Sequence, residues 1–145
     1  MLLVAAGITP LRVICLELLS QGVPVVLLYS VRHPEEAAFL QEFTDLAAAY
    51  STAQGADLAA AAGEGTGPSF SVVVAITGAR PGGKCRPVGM LQGRIDRQVI
   101  VGAVADVSVC DVYLCGPAAF MSAIETELVA AGAQQQRIYT ESFSF

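Results

Sequence analysis

Five apolar runs of strand length recur along the chain, with stretches of helical spacing between them. That alternation predicts β-α-β units feeding a parallel sheet. The first run is LLVAA at 2–6. Thr9 follows as a candidate N-cap, Pro10 suits the first helical turn, and Leu11, Ile14 and Leu18 recur at helical spacing until Gly22. The second run, VVLLY at 25–29, is continuously apolar, as a strand covered on both faces must be. Glu35 and Glu36 then suit the positive end of a helix, and Phe39, Phe43, Leu46 and Tyr50 would line one face of it.

A third run at 70–76 leads into Thr77-Gly78-Ala79-Arg80 and a Pro/Gly loop reaching Pro87. A short helix is expected at 95–104. The fourth run, VYLC at 112–115, ends at Gly116-Pro117; a helix with Phe120, Met121, Ile124 and Leu128 on one face follows, and Gly132 lies beyond its end. Residues 138–143 make the fifth strand. The expectation is an open, doubly wound, five-stranded parallel α/β sheet with helices on both faces, Rossmann-like, forming a single domain over 1–145. Residues 53–69, rich in Ala and Gly, read as a flexible surface loop within it.

Composition supports a sheet buried on both sides, since 54% of the residues are hydrophobic and only 14% charged. Eight Lys and Arg against a net charge of -5 argue against a nucleic-acid binder, whose affinity depends on clustered cations. The apolar stretch at 1–19 lacks a basic leader, is interrupted by Thr9-Pro10 and contains Arg12 and Glu17, so it reads as part of the fold and not as a membrane span. Cys15, Cys85, Cys110 and Cys115 form no C-x-x-C pair, and the chain has a single His, so no metal site is expected. The cysteines read as the thiols of a soluble intracellular, cytoplasmic protein.

In an open α/β sheet, ligands bind beyond the carboxyl ends of the strands, where a helix N-terminus presents free N–H groups. Gly7-Ile8-Thr9-Pro10 stands at such a place. Glycine there lets the backbone approach a pyrophosphate and the Thr9 hydroxyl can donate to it, although the same tetrapeptide also suits a merely well-capped helix. Ser30 and Arg32 follow the second run, and Thr77 and Arg80 the third, so two hydroxyls and two guanidiniums could converge on a ribose. The Arg fork matches a 2′-phosphate, which tilts the reading toward NADP over NAD. Either arginine equally suits a solvated loop position.

The segment DVYLCGPAAFM at 111–121 resembles the strand, Cys-Gly-Pro turn and helix of the ferredoxin-NADP reductase superfamily, especially its bacterial reductase and flavohaemoglobin-like branches. GITP at 7–10, LLYSVR at 27–32, GRI at 93–95 and the ending RIYTESFSF agree with that family in order. The resemblance implies the C-terminal NAD(P)-binding domain of a flavin-dependent oxidoreductase. It implies Gly7 and Thr9, flanked by Ile8 and Pro10, against the pyrophosphate of NADP or NAD, and Cys115, Gly116 and Pro117 near the nicotinamide. Glu141 and Phe143 would stand beside the flavin, with Phe145 sharing that role.

The chain departs from the family in two ways. It has AAGITP at 5–10 where the family carries a fuller glycine-rich turn, which weakens the expected pyrophosphate contact. The sequence also begins at the first strand of the nucleotide domain, so the FAD-binding barrel is expected in a partner or a missing domain. The enzymatic expectation is therefore an NAD(P)H-dependent oxidoreductase active as part of a larger protein or complex, passing hydride from nicotinamide C4 to a flavin held elsewhere, and onward to an unspecified electron acceptor. The alternative is a degenerate structural or interaction subunit that retains the fold, with the aromatic ending as its contact surface.

Overall fold

Strand β1, Leu2–Ala5, is fully buried along its length, and β2, Val25–Val31, is buried at every position but Ser30. A computed structural model describes residues 1–6, 8–51, 69–78 and 90–142 of the chain. Continuous apolarity puts both strands in the middle of the sheet, because only a strand covered on both faces can bury both sets of alternating side chains. They pair with β3 (Phe70–Ile76), β4 (Met90–Gln92), β5 (Val112–Gly116) and β6 (Ile138–Ser142) in one parallel sheet of order β4-β3-β2-β1-β5-β6.

The sheet has six strands where the sequence pattern predicts five. Strand β4 escapes the pattern because it is three residues long, none of them buried, and lies between Gly89 and Gly93. It is held by pairing with β3 through Val74, Ala75 and Ile76, and not by an apolar run of its own.

Alternation along the strands separates two cores. Leu2, Val4, Val26, Leu28, Val112 and Leu114 face one side, where α3 (Arg97–Ala103) and α4 (Ala118–Ala130) supply Ile100, Ile124 and Leu128. Leu3, Ala5, Leu27, Tyr29 and Cys115 face the other, covered by α1 (Thr9–Ser20) through Leu11, Cys15 and Leu19 and by α2 (Leu40–Ser51) through Phe43. Each large aliphatic side chain so buried contributes about 1.5–3 kcal/mol of transfer free energy. The double winding expected from the sequence is thus present, with two described helices on each face.

Helices α1 and α4 stop as their glycines predict. Gly22, at φ 80°, lets its N–H reach the Leu19 carbonyl while Val23 N–H reaches Leu18, and Gly132, at φ 106°, repeats the arrangement with Val129 and Leu128. These are paired 5→2 and 6→1 bonds that need a left-handed residue after the C-cap. Helix α3 begins at Asp96, whose carboxylate accepts from Val99 N–H at 3.0 Å.

Two helix starts differ from expectation. Thr9 is the first residue of α1 and not its cap; Ile8 occupies the N-cap position, and no side chain closes that helix end. The second helix begins at Leu40, since Pro34–Glu36 forms a separate 3-10 turn. Phe39 therefore lies before the helix, at φ 59° and 42% exposed, and not on the buried face with Phe43. Its ring lies 4.8 Å from the Arg12 guanidinium carbon, and Arg12 makes a two-pronged ion pair with Glu42 at 2.8 Å for each bond. The expected loop lies outside the described residues, apart from Ser69, whose carbonyl accepts from Val25 N–H.

Candidate nucleotide site

The strand order reverses between β1 and β5, and there the chain leaves adjacent strands for opposite faces: β1 runs into α1, β5 into α4. Such a switch point is where open α/β sheets leave a crevice. Ala5 is in register with Cys115, and Ala6 N–H donates to the Cys115 carbonyl at 2.9 Å. A Cβ on Gly116 would lie 3.2 Å from the Ala6 Cβ and 2.6 Å from the Phe120 ring, so only glycine lets the two turns and that ring meet.

At the α1 side of this crevice, Ile8 is buried, Pro10 half-buried and Thr9 exposed. Because no side chain caps α1, its leading N–H groups and Thr9 stand at the positive end of the helix dipole, an arrangement suited to an anion. At the α4 side, Pro117 occupies the N-cap with extended backbone and is exposed.

Beside the crevice, a cleft of about 370 Å³ opens past the ends of β1, β2 and β3, lined by Ala6, Tyr29, Ser30, Val31, Arg32, Glu36 and Thr77. It unites three of the four residues expected at the ribose: Ser30, Arg32 and Thr77. Its far wall is a backbone clamp. Thr77 N–H donates to the Val31 carbonyl and Gly78 N–H to the Arg32 carbonyl, both at 2.9 Å, while the Gln92 amide donates to the carbonyls of Ile76 and Gly78.

The cleft also contains a residue that sequence reasoning assigned elsewhere. Glu36 was expected to serve a helix start; instead it ends the 3-10 turn and faces the same space as Arg32. The signal available in the sequence was Pro34, which can open a short turn as readily as a helix. Tyr29 carries the turn from below: its hydroxyl accepts from Ala38 N–H at 3.1 Å, and its burial pushes the phenol pKa up.

Cys115 is fully buried at the end of β5. Burial, with a smaller contribution from the Glu141 charge, pushes its thiol up to about 11. Glu141 is exposed on β6, directly opposite Cys115 in the strand register. Gly7, Arg80, Phe143 and Phe145 lie outside the described residues. Among the described residues no group of His, Cys, Asp and Glu could hold a metal, and no helix is long and apolar enough to cross a membrane.

No family profile and no curated protein matches the chain. Solved structures do. It is similar to the flavohaemoglobin-like FAD/NAD-binding domain of nitric oxide dioxygenase from Vibrio cholerae O1 biovar El Tor, at 26% identity and a TM-score of 0.70 over 98% of this chain and 49% of that one. It is similar to the flavohaemoglobin of Malassezia yamatoensis, solved with FAD and haem, at 25% identity and a TM-score of 0.62 over 99% of this chain and 31% of that one. A ferredoxin NADP+ reductase from Neisseria gonorrhoeae, solved with FAD and NADP, shares the fold at 19% identity and a TM-score of 0.62, over 98% of this chain and 54% of that one.

The sheet order and the helices on its two faces thus define a doubly wound α/β fold. More narrowly, the chain has the fold of the NAD(P)-binding domain of ferredoxin-reductase-like flavoproteins, as the resemblance in its sequence implies. It spans about half the length of the first of these structures and about a third of the second.

Proposed function

We propose that the chain is the NAD(P)H-binding module of a flavin-dependent oxidoreductase. The carrying observation is the cleft that joins Ser30, Arg32 and Thr77 next to the uncapped start of α1. Its volume suits part of a small ligand, and its hydroxyls, cation and helix end match the polar groups of a dinucleotide.

In this reading Ser30, Arg32 and Thr77 bind the adenosine ribose. Gly7, Ile8, Thr9 and Pro10 receive the pyrophosphate, with the dipole of α1 opposing its charge. Cys115, Gly116 and Pro117 bound the nicotinamide end, where the missing Cβ of Gly116 keeps the turn after β5 close to Ala6. The neutral Cys115 thiol acts by packing and neither gives nor takes a proton. Glu141 and Phe143 face the flavin of a separate domain or subunit. The bound nucleotide supplies hydride from C4 of its nicotinamide, and that flavin is its acceptor.

Isothermal titration of the chain with NADH and NADPH tests the reading. Saturable binding of either supports it, and no binding of either at millimolar nucleotide removes it.

A further inference from the structure

Strand β6 is the last in the sheet order and an edge among the described residues. Its five residues include no Pro or Lys, which commonly keep a sheet edge from pairing. Tyr139 is 48% exposed and stacks on Tyr113 of β5, with ring centroids 5.2 Å apart. Glu141, two places on, is exposed on the same face of the strand. Arg137, two places back, reaches Asp111 through Nε at 2.9 Å, a bond that employs one of the five donors of its guanidinium.

The order of these residues is self-complementary. Arg137 and Glu141 lie equally far to either side of Tyr139, and the β-branched Ile138 and Thr140 stand between. Antiparallel pairing of β6 with a second copy, about a two-fold axis normal to the sheet at Tyr139, sets each Arg137 opposite the other copy's Glu141. Side chains directly opposite share a face, so the charges meet and the tyrosine stack continues across the axis. An axis at Ile138 or Thr140 instead sets Tyr139 opposite a charge and removes both charge pairs. Helix α4 packs on β5 and β6, and its exposed positions are all Ala, Ser, Thr or Val, so a second edge can approach without burying a charge there.

We propose that two copies of the chain associate edge to edge through β6, antiparallel about Tyr139, with Arg137 of each paired to Glu141 of the other. The association stands apart from the nucleotide reading, except that Glu141 then serves a second copy or a flavin partner, one at a time.

Sedimentation velocity of the full chain from about 10 µM to about 1 mM tests this, with a species of twice the 15.0 kDa chain mass expected toward the upper end. Glu141→Arg and Arg137→Glu each bring like charges face to face and are expected to weaken the dimer about tenfold or more. Mixed in equal amounts, the two variants bring unlike charges together again, and a heterodimer of wild-type affinity is expected. Arg137→Glu also gives up the Asp111 bond; should it not fold, Tyr139→Cys replaces the mixture. Under mild oxidation the axis then predicts a disulfide joining position 139 of the two copies, read by peptide mapping. A wild type that is monomeric throughout, Glu141→Arg with unchanged affinity, a mixture no tighter than its components, or oxidised Tyr139→Cys without that disulfide overturns the proposal and leaves nucleotide binding untouched.

Discussion

A Cβ placed on Gly78 would lie 2.5 Å from the carbonyl oxygen of Arg32, the same oxygen that accepts the Gly78 N–H at 2.9 Å. The exits of β2 and β3 are thus pressed together backbone to backbone, and the cleft wall depends on a residue without a side chain. Gly78→Ala must push the two turns apart, because backbone atoms cannot rotate out of the way. The expected cost is about 1–3 kcal/mol of stability from overpacking, read by denaturant unfolding. If the cleft binds nucleotide, affinity falls as well, since Arg32 and Thr77 separate.

Phe43 gives a prediction about the fold alone. It is fully buried, packs against Phe70 with ring centroids 6.1 Å apart, and anchors α2 on the sheet. Phe43→Ala is expected to cost about 3–5 kcal/mol, a large part of a domain's stability. Phe39→Ala, four residues earlier on the exposed turn, should cost far less. Equal losses in chemical denaturation would mean that the left-handed turn at Phe39, and not the core contact, sets the position of α2.

What could be read from the sequence follows the range of the forces involved. Strands β1, β2, β3 and β5 and the ends of α1 and α4 are local facts: a continuous apolar run, or a helical stripe ending in glycine, states its own structure. Strand β4 could not be read that way, because its three residues become a strand only by pairing with β3. Glu36 was misassigned for the same reason. Its turn closes through local bonds, Glu36 N–H to the His33 carbonyl and Ala37 N–H to Pro34, but the segment just after it is tied to the sheet by Tyr29 of β2, and no spacing near Glu36 records that contact.

The meeting of Ser30, Arg32 and Thr77 in one cleft was legible because strand ends can be counted, and parallel register then brings them together, Val31 opposite Ile76. The tie between Arg12 and Glu42 was not, since its partners lie thirty positions apart.

That tie has a pH dependence of definite sign. Hydrogen bonding to Arg12 holds the Glu42 carboxyl below its ordinary value of 4.5, and Arg137 does the same to Asp111 relative to 3.8. In both cases the unfolded chain binds protons more readily, so the stabilisation is complete above the ordinary values and is lost as pH falls through the depressed folded ones. Both pairs are solvent-screened, so the effect is small. Arg12→Met should lower the melting temperature at neutral pH and make no difference at a pH below both folded carboxylate values. A deficit that persists there would assign the loss to the stacking of Arg12 on Phe39.

Cys115 supplies the sharpest separation between packing and chemistry. A thiol pushed up to about 11 and fully buried is neither thiolate nor accessible at neutral pH, so it cannot attack a carbon or a disulfide. Iodoacetamide at about pH 8 should leave Cys115 unmodified in the folded chain and label it after denaturation, with half-buried Cys110 reacting sooner in the native state. If Cys115 acts only by filling space beside the nicotinamide, Cys115→Ser should change nucleotide affinity without changing its pH profile, because neither side chain titrates below about pH 10. A profile that loses an inflection on substitution would show that the thiol ionises in the working range, and Cys115 would then have to be assigned a chemical role.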